Sequence, residues 1–168
     1  MASGSVSEDM VNISSSDSQT FSVKTEVANK SEMLKSFIED ASPGETIPLP
    51  TVKGAILSRI LEWCKFHVDA VKETDGKAHK TKQEILDFDK EFVECPHPEL
   101  FETILAANYL NIVDILKITC RKVADDIIEA GTTEGIRAKF GIENDFTPEE
   151  EAKIAEENAW VKELCPDD

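Results

Sequence analysis

Basic residues are too few in this sequence for a protein that binds nucleic acid by charge. Lysine and arginine number 18 against 34 aspartates and glutamates, which gives a net charge of −16 at pH 7. Nucleic-acid affinity depends on basic side chains that replace the counterions of the phosphates, and so acidic a chain would repel them. We therefore expect no nucleic-acid partner.

Long apolar runs and export signals are also missing. No stretch approaches the roughly 20 apolar residues that cross a bilayer, and residues 1–9 lack the basic and apolar parts of a signal peptide. These nine residues are polar and small, which predicts a disordered leader. The cysteines at 64, 95, 120 and 165 are scattered, which favours reduced thiols. We expect no membrane association and a cytoplasmic and nuclear location.

Recognisable catalytic motifs are absent as well. None of the three histidines lies in a nucleophile motif, and the glycines do not form a phosphate-binding loop. Four residues have zinc-ligand chemistry but lack the CxxC framing of structural sites: Cys64, His67, Cys95 and His97. We expect no enzyme activity, cofactor or metal. A small metal-binding protein or enzyme remains the alternative from a different class.

Short alternating segments predict strands in the first third of the chain. Val11–Ile13 and Phe21–Val23 have the pattern of a hairpin with one buried face. Ile47 and Leu49 alternate in the same way, but prolines at 48 and 50 make this segment an edge strand or an extended arm. The protein is therefore expected to have a small sheet.

Apolar residues three and four positions apart predict four helices between the sheet segments and residue 129. Ser31 caps the first helix and Thr51 opens the second. The predicted apolar faces are Met33, Leu34, Phe37 and Ile38; Ile56, Leu57, Ile60, Leu61 and Cys64; Leu100, Phe101, Ile104, Leu105 and Tyr109; and Ile112, Ile115, Leu116, Thr119, Val123 and Ile127. Between the second and third helices, residues 69–84 predict a flexible surface loop, and Phe88–Val93 predicts an irregular link.

The last forty residues carry clear helix signals but little apolar material. Ile136 and Phe140 stand four apart on one short helical face. Thr147, Pro148 and Glu150 then open another helix with a capping box. A helical extension with so few large anchors usually leans on its own domain or on a partner. Trp160 is accordingly either packed against the domain or kept for a partner.

An ordered set of short motifs resembles the S-phase-kinase-associated adaptor family of SCF ubiquitin ligases. The set runs from Val11 to Trp160 and is specific because of its order and intervals. Its members are Ile47-Pro48-Leu49-Pro50, Ile60–Cys64, Phe88–Phe92, Leu105–Leu110, Thr119–Ala124 and Asn144–Glu151.

This resemblance implies an α+β BTB/POZ-like domain over residues 1–128 that binds a cullin, followed by an all-helical extension over residues 129–168 that binds the F-box of a substrate receptor. The corner at Asn108 and Tyr109 would belong to the cullin face. The F-box face would comprise Val123, Ile127, Ile136, Phe140, Ile142 and Trp160. When no partner is bound, the same face would support weak homodimers. Elongin C, an adaptor of a different cullin that lacks the helical extension, is the alternative within this resemblance.

Several positions depart from the family pattern. Gly135 stands where the family usually has an acidic helix former, and is expected to weaken its short helix by up to about 1 kcal/mol. Asn29-Lys30-Ser31 is atypical before the first long helix and bears on the cullin edge. Val161–Cys165 replaces the cysteine and acids that commonly follow the tryptophan. Pro148 matches a proline that some protist members hydroxylate and glycosylate.

Overall fold

The computed structural model describes residues 10–40, 44–74 and 77–160. The predicted leader, the predicted helix stop at Ser42 and Pro43, and the residues that follow Trp160 lie outside these ranges. The chain divides between Asp125 and Asp126 into two compact units.

Three strands form the sheet of the first unit. They are β1 (Met10–Ser14), β2 (Thr20–Lys24) and β3 (Thr46–Pro48). Their order is β2-β1-β3, with β1 antiparallel to β2 and parallel to β3. Ile13 in the central strand lies opposite Phe21 and Ile47, which confirms the predicted hairpin and the predicted edge strand.

The helices account for most of the remaining described residues. They are α1 (Thr25–Ala28), α2 (Glu32–Asp40), α3 (Gly54–Ala70), α4 (Lys82–Val93), α5 (His97–Tyr109), α6 (Val113–Ala130), α7 (Thr133–Phe140) and α8 (Pro148–Glu157). Two strands of two residues each, β4 (Glu73–Thr74) and β5 (Lys77–Ala78), pair antiparallel between α3 and α4 and are called the β4–β5 hairpin. None of the described helices has the length and apolar character that a membrane crossing requires.

The core of the first unit is built around α3. All five residues of its predicted apolar face are buried, as is Trp63. The helix contacts α1, α4, α5 and β2, so one amphipathic segment joins the sheet to the helices. The α+β architecture predicted from sequence is confirmed.

The predicted start of α3 at Thr51 is wrong. The helix begins at Gly54, and the residue that precedes it, Lys53, makes no side-chain capping bond. The Asp17 carboxylate, from the turn between β1 and β2, instead accepts a hydrogen bond of 2.8 Å from the Gly54 N–H. A cap supplied from a distant segment leaves no local sequence signal.

The predicted irregular link at Phe88–Val93 is also wrong, because these residues belong to α4. Thr81 and Glu84 form a capping box that begins the helix. The Asp89 carboxylate then accepts hydrogen bonds of 2.8 Å from the Trp63 indole N–H and 2.7 Å from His67 Nε2. These two hydrogen bonds hold α4 against α3.

The predicted loop at residues 69–84 therefore has regular structure at both ends. Asp69 and the buried Ala70 complete α3, and α4 begins at Lys82. The β4–β5 hairpin occupies part of the interval between them. Helix propagation from two strong amphipathic segments outweighs the polar composition of these terminal residues.

Candidate protein-interaction surfaces

The predicted cullin-binding residues lie where α5 ends, at a corner with a defined backbone. Asn111 has a left-handed backbone with φ 52°, and its N–H bonds to the Asn108 carbonyl at 3.1 Å. The Ile112 N–H bonds to the Ala107 carbonyl at 2.9 Å. Together these bonds form a Schellman motif, in which asparagine tolerates the left-handed position. The motif turns the chain sharply into α6 and leaves Asn108 and Tyr109 exposed.

A stripe of large apolar side chains leads along α5 to this corner. It consists of Phe101, Leu105 and Tyr109, spaced four residues apart, and Leu105 is 69% exposed. All three belong to the apolar face that the spacing predicts, of which only Leu100 is buried. The buried face is formed instead by Leu100, Thr103, Ala106 and Ala107. Small side chains let α5 pack closely on the core, so the larger ones remain on the surface.

A groove of about 450 Å³ opens beside this stripe. Val52 and Ile56 line one side, and Leu105 and Tyr109 line the other. A 2.6 Å salt bridge between Lys53 and Glu102 crosses the same region. An apolar groove next to an exposed tyrosine suits an apolar side chain of a protein partner.

In the second unit, the short helix α7 is held at both ends by local bonds. The Thr132 hydroxyl caps its start by accepting from the Gly135 N–H at 3.0 Å. Gly141 ends it in the left-handed region at φ 66°, and the Ile142 N–H bonds to the Arg137 carbonyl at 2.9 Å. These caps fix the backbone that carries the predicted F-box residues Ile136, Phe140 and Ile142.

An ion-pair cluster holds α7 to the end of α6. The Lys139 ammonium lies 3.0 Å from the buried Asp126 carboxylate and also contacts Glu129. Hydrogen bonds to Glu129 and then to Asp126 raise the pKa of Lys139, because they favour its charged form. Lys139 therefore orients α7 on α6 and is fully charged at physiological pH.

The segment before α8 is tied to that helix by side chains. The Asn144 amide donates to Glu151 at 2.7 Å, and Arg137 lies 3.5 Å from the same carboxylate. Thr147 and Glu150 form the predicted capping box, with Pro148 in the first turn, so this prediction is confirmed. Bonds from the Thr147 N–H and hydroxyl lower the pKa of Glu150.

No residue of α8 is buried, although the helix is well capped. Every described residue from Gly141 onward is exposed, including Ile154, and Trp160 is 58% exposed. Local bonds therefore set the geometry of this region, while its large apolar side chains remain available.

The structure separates the predicted F-box residues by exposure. Val123, Ile136 and Phe140 are half-buried, whereas Ile127, Ile142 and Trp160 are exposed. Three further apolar residues in the second unit, outside the predicted F-box set, are exposed: Ile128, Phe146 and Ile154. The signal for them was present, since isolated large apolar residues stand in very polar surroundings. They enlarge the candidate surface of this unit.

The four zinc-compatible residues are engaged in other ways or separated from one another. Burial raises the pKa of the Cys64 thiol to about 12, which opposes the thiolate form that zinc requires. His67 stacks on Trp63 and contacts Asp89. The ring of His97 stacks near Phe101 at 6.2 Å. Across residues 10–40, 44–74 and 77–160, no cluster of three potential ligands is positioned to hold a metal ion.

Comparison with known proteins gives two family matches. Residues 9–69 match the Skp1 family tetramerisation domain, of the POZ type, and residues 114–161 match the Skp1 family dimerisation domain. The strands and helices described above are thus those of a POZ domain followed by a helical extension.

Curated relatives match nearly the whole chain. SKP1-like protein 4 of Arabidopsis thaliana is 45% identical over 158 residues, which covers 92% of this chain and 96% of that protein. The SCF ubiquitin ligase complex protein SKP1a of Dictyostelium discoideum is 41% identical over 157 residues, with the same coverage of each chain. SKP1-like protein 20 of Oryza sativa subsp. japonica is 40% identical and covers 97% of this chain and 100% of its own length.

Proposed function

The chain belongs to the Skp1 family, and on this premise we propose that it is the adaptor subunit of an SCF-type cullin–RING ubiquitin ligase. It would bridge the cullin scaffold to F-box substrate receptors in ubiquitin-dependent protein degradation. The observation that carries this proposal is the match to both family domains. The match over residues 114–161 favours this assignment over the elongin-C-like alternative, because it covers the helical extension.

The cullin is assigned to the exposed end of α5. Asn108 and Tyr109 supply a polar and an aromatic contact at a fixed corner, and Leu105 adds apolar area beside the groove. Aromatic residues beside a pocket are typical of interface hot spots. Lys53 and Glu102 would lie at the polar rim.

The F-box is assigned to the apolar surface of the second unit. Its members in this unit are the predicted Ile127, Ile136, Phe140, Ile142 and Trp160, together with the exposed Ile128, Phe146 and Ile154. The predicted Val123 belongs to the first unit. A surface with this much exposed apolar material favours association. In the absence of an F-box protein, a second copy of the chain would cover part of it and form a weak homodimer.

The proposed role requires no catalytic step from this chain. An adaptor binds two proteins and holds them at a fixed separation, while transfer of ubiquitin occurs on other subunits. We place the protein in the cytoplasm and nucleus, consistent with its acidic charge and unpaired cysteines at 64, 95 and 120. Neither a cofactor nor a metal is part of the proposal.

Pro148 is a proposed modification site. It is exposed in the first turn of α8, directly after the capping residue Thr147. Hydroxylation there would add a polar group without removing an N–H that the helix uses, since proline has none. Mass spectrometry of the protein from its natural source tests for the added oxygen.

A crossed pair of variants tests the proposed function. Asn108→Ala with Tyr109→Ala is expected to weaken cullin binding by about 2 kcal/mol or more, while F-box affinity is retained. Trp160→Ala is expected to do the reverse by a similar amount. Titration calorimetry with each purified partner measures both affinities, and Glu62→Ala on the exposed side of α3 serves as control.

Two results would contradict the assignment. The first is a wild-type chain that fails to assemble with cullin and F-box protein in gel filtration. The second is a variant pair that lowers both affinities equally, because loss of folding would explain that pattern.

A further inference from the structure

The carbonyl of Leu110 occupies an unusual position at the end of α5. Leu110 is the C-cap residue of the helix and is only 1% exposed. The last carbonyls of a helix have no partner within it, and a buried carbonyl without a partner is costly. The Schellman bonds of the corner use the carbonyls of Ala107 and Asn108, so they leave this group unsatisfied.

The Ser31 hydroxyl supplies the missing bond. It donates to the Leu110 carbonyl at 2.5 Å, across 79 positions of sequence. The same oxygen accepts from the Leu34 N–H at 3.0 Å and so caps α2. Ser31 is 2% exposed, which shields both bonds from competing water. A single hydroxyl thus links the start of α2 to the end of α5.

We propose that Ser31 is a positioning residue for cullin recognition, which acts through Leu110 on the adjacent Asn108 and Tyr109. This inference rests on the proposed cullin assignment of the corner. A hydroxyl has one hydrogen, and here it is committed to Leu110. Loss of that bond leaves the buried carbonyl without a partner, and the backbone of the corner moves to find one. The exposed side chains of Asn108 and Tyr109 move with it.

The atypical sequence Asn29-Lys30-Ser31 thereby acquires a structural role. Lys30 and Ser31 donate backbone bonds to Val27 and Ala28 at 3.2 and 3.0 Å, so the chain turns tightly between α1 and α2. This turn brings the Ser31 side chain into the interior beneath the corner. The segment contributes to cullin binding by supporting the contact residues from below.

A matched pair of substitutions isolates the hydroxyl. Ser31→Thr keeps the hydroxyl. Ser31→Val has nearly the same side-chain shape as Ser31→Thr but lacks the hydroxyl, so any steric misfit is common to both variants. We expect Ser31→Val to bind cullin about tenfold more weakly than Ser31→Thr. F-box affinity should differ by less than about twofold between the two, since no contact of the second unit is changed.

Two controls separate positioning from general stability. Thr81→Ala removes the N-cap of α4 and lowers the melting temperature without touching the corner. Its cullin affinity should remain at the wild-type value. In an Asn108→Ala background, the difference in cullin affinity between Ser31→Thr and Ser31→Val should shrink to less than about threefold, because coupled residues are not additive.

Equal cullin affinity of Ser31→Thr and Ser31→Val would overturn the inference. So would a loss from Thr81→Ala as large as that from Ser31→Val, or an undiminished effect in the Asn108→Ala background. Failure of the proposed function looks different, because the wild-type chain would then not bind cullin at all.

Discussion

The carboxylate of Asp17 caps the central helix of the protein from a distant turn. Its Oδ1 accepts a hydrogen bond of 2.8 Å from the Gly54 N–H and another of 2.6 Å from the Ser15 hydroxyl. Gln19 packs so closely on Gly54 that a Cβ there would lie 2.4 Å from its side-chain Cδ. The β1–β2 turn and the start of α3 are therefore in direct contact, and a side chain at residue 54 would require the end of the Gln19 side chain to move.

This cap makes folding stability depend on pH. The Ser15 hydroxyl and then the Gly54 N–H lower the pKa of Asp17 from its ordinary value of 3.8. A lowered folded-state pKa contributes stability that is present above 3.8 and is lost as the pH falls through the folded value. Asp17→Asn should therefore lower the melting temperature at neutral pH, and this deficit should shrink below about pH 4.

Thermal melts of the wild type and Asp17→Asn at neutral and acid pH measure this effect. Glu62→Gln removes the same charge from an exposed position in the middle of α3, so it controls for net charge. A deficit of Asp17→Asn that persists unchanged at low pH would assign the effect to shape instead of charge.

The cap also shows where prediction from sequence reaches its limit. Periodicity located the strands and the buried face of α3, because burial of a regular element leaves a repeating pattern. The partnership of Asp17 with Gly54 leaves no such trace, so the start of α3 was misplaced at Thr51. For α4 the local signals were present, in the capping box of Thr81 and Glu84 and in apolar residues three and four apart, but the charged composition obscured them.

Gly135 is expected to stabilise the protein despite its poor helix propensity. A Cβ at this position would lie 2.3 Å from the Ala130 carbonyl oxygen, a distance that no side chain tolerates. This close approach favours glycine over residues with a side chain and so opposes the weakening of α7 that helix propensity predicts. Gly135→Ala should lower the free energy of unfolding by about 1 kcal/mol or more.

Urea unfolding and amide exchange of residues 136–140 test the role of Gly135. Ala138→Gly, at an exposed position of the same helix, serves as control and should cost about 1 kcal/mol from propensity alone. If Gly135→Ala proves stabilising, α7 has room to shift and the close approach to Ala130 is dispensable.

We expect that only part of the predicted loop at residues 69–84 can be replaced without loss of stability. Replacement of residues 71–80 by a short Gly-Ser linker should leave both partner affinities within about threefold, since loop closure costs depend weakly on length. Replacement of all of 69–84 should lower stability, because it removes the buried Ala70 and the capping box of Thr81.

Melting curves and calorimetric titrations of the two linker replacements distinguish these outcomes. The deletion of 71–80 also removes Lys72, which bridges Glu26 and Asp69 at 2.6 and 3.1 Å. Exposed ion pairs of this kind contribute little to stability. A large loss of cullin or F-box affinity from the shorter deletion would identify the hairpin as a binding element.

The final helix is expected to open readily in the free protein. None of its residues is buried, so only backbone bonds, the capping box and exposed side-chain bonds such as those of Glu151 oppose opening. Amide exchange of residues 149–160 should be fast in the free chain and should slow by at least about tenfold with a bound F-box domain. Trp160→Ala should abolish most of this protection, whereas Lys153→Ala on the same helix should not.

Slow exchange of these amides in the free monomer would contradict this expectation. It would show that the extension is stable by itself and that Trp160 does not depend on a partner for burial. Measurements at several protein concentrations separate protection by self-association from protection within one chain, because only the former depends on concentration.

The candidate surfaces were predictable to different degrees for a physical reason. Asn108, Tyr109 and Trp160 were identified from the family resemblance, and all three are exposed. Leu105 is part of the apolar face that the spacing predicts for its helix, yet it is exposed. Periodicity reports an apolar stripe but does not say whether the protein itself or a partner covers it.

The buried thiol of Cys64 can report on opening of the core of the first unit. Its thiol lies within the packed α3 face, and with a pKa of about 12 it is almost entirely protonated at neutral pH. A small alkylating reagent will reach it only when α3 separates from its neighbours, whereas Cys120 is exposed and reacts at once. The lag between labelling of these two cysteines therefore reports how long the first unit stays closed around Cys64, with no engineered labelling site. Measured in a cell extract, the same lag would report how often the first unit opens there.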